Sequence, residues 1–157
     1  MVSGDNLQTA IAYAIKAGII TDEESKKENA CMTGEEFRRL AGGLVKDING
    51  NYSLERKDDF KNIAKSLKVI GRAVPQDKHV LTIGLQELGK TVACIGEGIN
   101  DVDALRSADV GFALGSGVSV AKEASDMVLT TDNFEGAMMA VMWGRNIYAN
   151  VRKFIQF

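Results

Sequence analysis

With 157 residues, 45% of them hydrophobic and 25% charged, the chain has the make-up of one globular domain able to bury a sizeable core. A net charge of −2 supplies no basic field for nucleic acid, so no DNA or RNA partner is expected. Cys31 and Cys94 stand far apart and fit neither a disulfide framework nor a zinc spacing. The longest apolar run, Ala137 to Trp143, falls far short of the ~20 residues a bilayer requires, so reduced thiols in a cytosolic compartment and no membrane span within the chain are expected.

Met1-Val2-Ser3-Gly4-Asp5 reads as the tail of a strand running into a loop. Asp5 or Asn6 can cap a helix whose apolar positions Leu7, Ile11, Ala14 and Ile15 follow helical spacing, with Gly18 as its left-handed end. Ile19 and Ile20 follow as a short apolar segment. From Thr21 to about Asp59 the pattern weakens: a charge cluster at 23–28, one short helix from Gly34 to Leu40, and a turn at Asn49-Gly50-Asn51. The region 21–68 is therefore read as a weakly patterned surface excursion, closed by an amphipathic helix from Phe60 to Leu67. Order returns with a strand at 69–74, ended by Pro75, and a helix from Gln76 to Leu88. Strands at 91–95, 110–114 and 127–129 then alternate with helices at 102–108 and 118–125. Apolar strands, short connections and regular alternation predict an α/β fold with a parallel sheet covered by helices on both faces. A long helix runs from Phe134 to the end, with Asp132 and Glu135 spaced as a capping box and its Met and aromatic positions expected to pack. The abrupt beginning, and an end inside a helical pattern, predict a segment of a longer polypeptide.

Three stretches carry chemistry. Cys94-Ile95-Gly96-Glu97-Gly98-Ile99-Asn100-Asp101 delivers two acids four residues apart where a strand breaks into a loop, a place for a hard cation beside a phosphate. Its Gly-x-Gly is no dinucleotide loop, because Asp101 stands where a third glycine would receive the pyrophosphate. By the acids alone, helix capping by Asp101 with a solvated Glu97 is an equal reading. Ser3-Gly4-Asp5 offers a hydroxyl, a close backbone approach and free amides at a helix N-terminus, a cradle for a phosphoryl group or a plain cap. Lys78 sits in the first turn of a helix, where a cation opposes the macrodipole; stability does not place it there, so phosphate neutralisation competes with an ordinary surface lysine. His79 belongs to no motif and is expected at the surface.

The order of these loops is similar to that of the haloacid dehalogenase fold. The longer runs Met1–Asn6, Arg72–Lys78, Ile95–Asp101, Ala108–Gly115 and Ala121–Asp126 resemble the phosphorylation domain of a P-type cation-transporting ATPase, and Asp132-Asn133-Phe134 with Met142–Tyr148 looks like the plasma-membrane calcium pump type. The resemblance covers nearly the whole chain and is thin over 21–68. It implies a three-layer Rossmann-like sheet, incomplete at the N-terminus: residues 1–133 as a partial phosphorylation domain and 134–157 as a stalk helix leading toward a membrane segment. It further implies a cytosolic part of an integral membrane protein, with the remainder of the pump as partner and Mg2+ and ATP as cofactor and substrate. On residues, it assigns Ser3, Gly4 and Asp5 to nucleotide and phosphoryl group, Arg72 to ATP, Lys78 to the transferred phosphate, Asn100 to completing the site, and Glu97 and Asp101 to the metal. The catalytic trio would be Lys78, Asp101 and Ser3.

Two departures matter. The family's Asp-Lys-Thr-Gly-Thr motif, which carries the nucleophile, does not occur, so no ATP turnover by this chain alone is expected. Glu97 stands where the family has its main magnesium aspartate; one more methylene displaces the carboxylate by about 1.5 Å against a tolerance of about 0.2 Å in metal–ligand distance, so altered magnesium affinity is expected. The alternatives are a non-catalytic remnant or nucleotide- or partner-binding module of the same fold, and a free-standing phosphatase, which would need its own aspartate.

Overall fold

The computed structural model describes residues 1–157. Helix α1 (Leu7–Lys16) begins at Asn6, whose side chain accepts the Thr9 amide at 2.8 Å, and ends at Gly18, with φ of +72°. Its buried face, Ala10 and Ala14, packs on strand β4 (Val69–Gly71) with Ile20, Ala30 and Val69.

Residues 21–68 hold more order than their pattern predicts. A short helix α2 (Asp22–Ser25) leads to strand β1 (Cys31–Thr33), which pairs parallel with β4 in the register Met32 to Ile70. Helix α3 (Gly34–Ala41) opens with a capping box between Thr33 and Glu36 and buries Phe37 and Ala41 completely. A hairpin of β2 (Leu44–Lys46) and β3 (Tyr52–Leu54) precedes helix α4 (Lys57–Ala64). The rings of Phe37 and Phe60 meet edge to face at 6.2 Å in the largest core, with Met32, Ile70 and Val80. The segment is thus built into the molecule. A three-residue strand and an i, i+4 pair of apolar residues in a charged helix left too faint a periodic signal.

Helix α5 (Pro75–Glu87) follows β4, whose strand ends early because Arg72 takes a positive φ of 49°. Strand β5 (Ala93–Gly96), helix α6 (Val102–Ser107), strand β6 (Val110–Leu114), helix α7 (Ser119–Ala124) and strand β7 (Met127–Leu129) then alternate. β5, β6 and β7 form one parallel sheet in that order. A second parallel set runs Val2, β4, β1, since Val2 bridges Ile70.

The final helix α8 (Phe134–Gln156) is capped by Asn133, which accepts the Glu135 amide at 3.0 Å; Asp132 instead accepts the Ser116 amide at 3.1 Å. This replaces the expected box of Asp132 and Glu135. Ala137 alone of the helix is buried, against Phe112 and Leu129. The apolar residues beyond it, Trp143, Ile147 and Phe154 among them, are exposed and not packed as their type predicts. No helix is long and apolar enough to cross a membrane.

Candidate active site

Every stretch singled out for chemistry lies at the carboxyl end of a parallel strand. Met1 to Asp5 runs beside β4: Ile70 donates to the Met1 carbonyl and Ser3 to the Ile70 carbonyl, both at 2.9 Å. Past the strand, Ala73 donates to the Ser3 carbonyl at 2.9 Å and Arg72 to that of Asp5 at 2.6 Å, which sews the first loop onto the second. The Ser3 hydroxyl accepts the Asp5 amide at 3.1 Å and donates to the Asp5 carboxylate at 3.0 Å. Asp5 is therefore tied to Ser3, and Asn6 does the capping.

Pro75 at the first position of α5 sets its direction and Asp77 closes the first turn by accepting the Val74 amide at 2.9 Å. Lys78 follows, and its ammonium pairs with Asp101 Oδ1. Asp101 Oδ2 gathers the amides of Glu97 at 3.0 Å and Gly98 at 3.1 Å. Gly96 is needed for this fold-back: a Cβ there would fall 2.9 Å from Asp101 Oδ2. Burial pushes the Asp101 carboxyl up, and the Lys78 ammonium with the two amides outweighs it, leaving the group below the ordinary aspartate value. Cys94, on the strand before, is pushed up to about 11 by burial and by the Asp101 charge, so it stays a protonated thiol.

Lys78, Asp101 and the acid loop thus converge, with the Ser3 loop tied to the same second loop. Arg72, Glu97 and Asn100 lie at this edge as exposed residues, and none forms an ion pair. No group of three or more His, Cys, Asp or Glu residues is placed to hold a metal. Both Asp101 oxygens already accept from protein donors, so Glu97 is the one free carboxylate of the loop. A magnesium ion, which commonly takes one or two carboxylates together with phosphate oxygens and water, fits Glu97 on those terms.

His79 is not the solitary surface residue its sequence suggests. It is half-buried, its Nε2 is 2.9 Å from the Ser107 hydroxyl, and its ring meets Tyr52 edge-on at 4.7 Å. Burial lowers its pKa, partly opposed by Asp103. Two features escaped the sequence reading. One is Asp77, which an acid three residues after a cap position could have signalled. The other is a cavity of about 460 Å³ between the two parallel sets, walled by Val2 on one side and Ala93 and Ile95 on the other, with Lys78 and Asp101 among its lining residues. Of its 18 lining residues 15 are hydrophobic, which suits an apolar segment. β5 pairs only with β6, and Val2 only with Ile70, so each set presents an unpaired edge at this cavity.

Residues 81–141 match the family model of haloacid dehalogenase-like hydrolases. The whole chain aligns at 45% identity with plasma membrane calcium-transporting ATPase 4 of Homo sapiens, covering 12% of that protein. It aligns at 42% with calcium-transporting ATPase 10, plasma membrane-type, of Arabidopsis thaliana, covering 13%. A crystal structure of a zinc-transporting PIB-type ATPase superposes on 59% of this chain and 16% of its own, with a TM-score of 0.54 and 34% identity. Over its whole length the chain is therefore homologous to a segment of the plasma-membrane-type calcium-transporting P-type ATPases, spanning 12–13% of the relatives it matches, with a haloacid dehalogenase-like fold.

Proposed function

We propose that this chain supplies the phosphate-, nucleotide- and magnesium-facing loops for phosphoryl transfer from ATP to an aspartate outside it, within an ATP-driven calcium pump. The observation that carries the reading is the Lys78–Asp101 pair lining an apolar slot with an unpaired strand edge on either side. A parallel strand from elsewhere in the protein fits that slot, joins the two sets into one sheet, and brings its carboxyl-terminal end to the loops. In the transfer, a carboxylate oxygen on that strand bonds to the γ-phosphorus as the bond to the ADP oxygen breaks. Lys78 meets the charge on the transferring oxygens, Asp101 holds Lys78 and the acid loop in place, and the Ser3 hydroxyl with the Gly4 and Asp5 backbone faces the phosphoryl group. Arg72 and Asn100, exposed at the same edge, are free to reach nucleotide. Magnesium, when bound at Glu97, neutralises phosphate charge and orients the γ-phosphoryl group.

Residues 1–133 form the part of the phosphorylation domain present and Phe134–Gln156 the stalk helix. The exposed apolar side of that helix supports contact with the remaining pump, on the cytosolic side of a membrane. A second reading, a remnant that binds nucleotide or a partner without turnover, is favoured by Glu97 alone. One experiment separates them: formation of an acid-stable aspartyl phosphate from labelled ATP in the full-length protein. Phosphorylation that Lys78→Ala slows by ~100-fold, the scale of losing one preorganised charge at the transition state, supports the pump. No phosphorylation, or a rate indifferent to Lys78, supports the remnant.

A further inference from the structure

The first turn of α5 holds a buried carboxylate that phosphoryl transfer itself does not use. Asp77 is fully buried. Its Oδ2 accepts the Val74 amide at 2.9 Å and the Arg38 guanidinium at 2.5 Å, while its buried Oδ1 has no partner. Capping does not require this arrangement, since an exposed acid or a serine would close the turn without leaving a buried oxygen unsatisfied. The guanidinium comes from α3, in the segment with the weakest sequence pattern. The same helix begins at Gly34, where a Cβ would fall 2.5 Å from Asp77 Oδ2, 2.8 Å from the Arg72 carbonyl and 3.1 Å from Ala73 Cα. Helix α3 therefore abuts the second loop at both its ends: the Arg72–Ala73 backbone and the Asp77 carboxylate. Beyond Asp77 comes Lys78, then Asp101, then the amides of Glu97 and Gly98. Contacts thus run unbroken from α3 to the acid loop.

We propose that Arg38 and Asp77 are positioning residues: their ion pair lets α3 fix the first turn of α5 and so the direction in which Lys78 reaches. Helix ends fray, and a long lysine side chain on a frayed turn would sample many rotamers. Clamping the turn from a second element removes that freedom. The consequence for turnover rests on the proposed role of Lys78 at the phosphate; the structural half does not.

The test follows the Lys78 ammonium by side-chain 1H–15N NMR in the 157-residue chain, for the wild type, Arg38→Ala, Arg38→Lys and Arg39→Ala. Arg38 is 40% exposed, so its truncation leaves the core intact; Arg39, beside it, forms no ion pair. The expected result is a distinct, solvent-protected signal that Arg38→Ala moves to the position of a free lysine, that Arg38→Lys partly restores, and that Arg39→Ala leaves alone. A signal unmoved by Arg38→Ala, or lost equally in Arg39→Ala, overturns the proposal. Should Arg38→Ala not fold, Asp77→Asn removes the ion pair at constant volume and must give the same displacement. In the full-length protein, Arg38→Ala should lower kcat about tenfold with KM for ATP shifted less than about twofold; an unchanged kcat contradicts it. Normal turnover by Lys78→Ala would instead remove the phosphate role and leave the NMR result standing, so the two failures are distinct.

Discussion

Asp101 shows how one side chain can organise a site. It holds Lys78 through one oxygen and closes the acid loop through the other, which is why its carboxyl lies below the ordinary value of 3.8 despite its burial. Folding favours the deprotonated form, so the contribution to stability is complete above the unfolded pKa and is lost as pH falls through the folded one. Carboxyl 13C NMR of the chain should therefore give Asp101 a midpoint below 3.8; a midpoint at or above that value would show the pair with Lys78 to be absent in solution. The sequence made Glu97, Lys78 and Asp101 legible, because two acids where a glycine-broken strand becomes a loop suit a cation beside a phosphate, and a lysine in a helix's first turn is misplaced for stability alone. It did not divide the labour between the two acids. That division depends on which carboxylate folds back onto the amides of Glu97 and Gly98, a fold-back that Gly96 permits and that shows only once Asp101 is seen against it.

At the scale of elements, the strands and helices from Lys68 onward follow their periodicity closely, and the exceptions have physical causes. β4 stops at Gly71 because Arg72 turns the chain, not because Pro75 does. In the region 21–68 the helices are legible and the strands are not, and its place in the core is missed because it rests on isolated residues: Met32 in a three-residue strand, and Phe37 with Ala41 in a helix half of whose residues are charged. If the segment were a surface excursion, Phe37→Ala would cost little. Fully buried against Phe60, it should instead destabilise the chain by about 3–5 kcal/mol, as truncating a buried aromatic does. Chemical denaturation of the two proteins measures the difference, and a loss below about 1 kcal/mol would mean that α3 does not dock as described.

On the scale of the whole molecule, what matters is the gap. Two parallel sets face each other across an apolar cavity with their edges unpaired, and such edges are templates for another strand. Sequence pattern shows which strands exist but not which of their edges are free, because pairing is set by topology and not by composition. The proposal that nucleophile and loops come from different parts of one protein rests on this gap being filled. It is tested most directly by amide hydrogen exchange over Ala93–Gly96 in the 157-residue chain and in the full-length protein. Amides of β5 that face the slot should exchange freely in the former and become protected in the latter, with those bonded to β6 protected in both. Equal exchange in the two proteins would mean that no strand enters the slot, and would contradict the account.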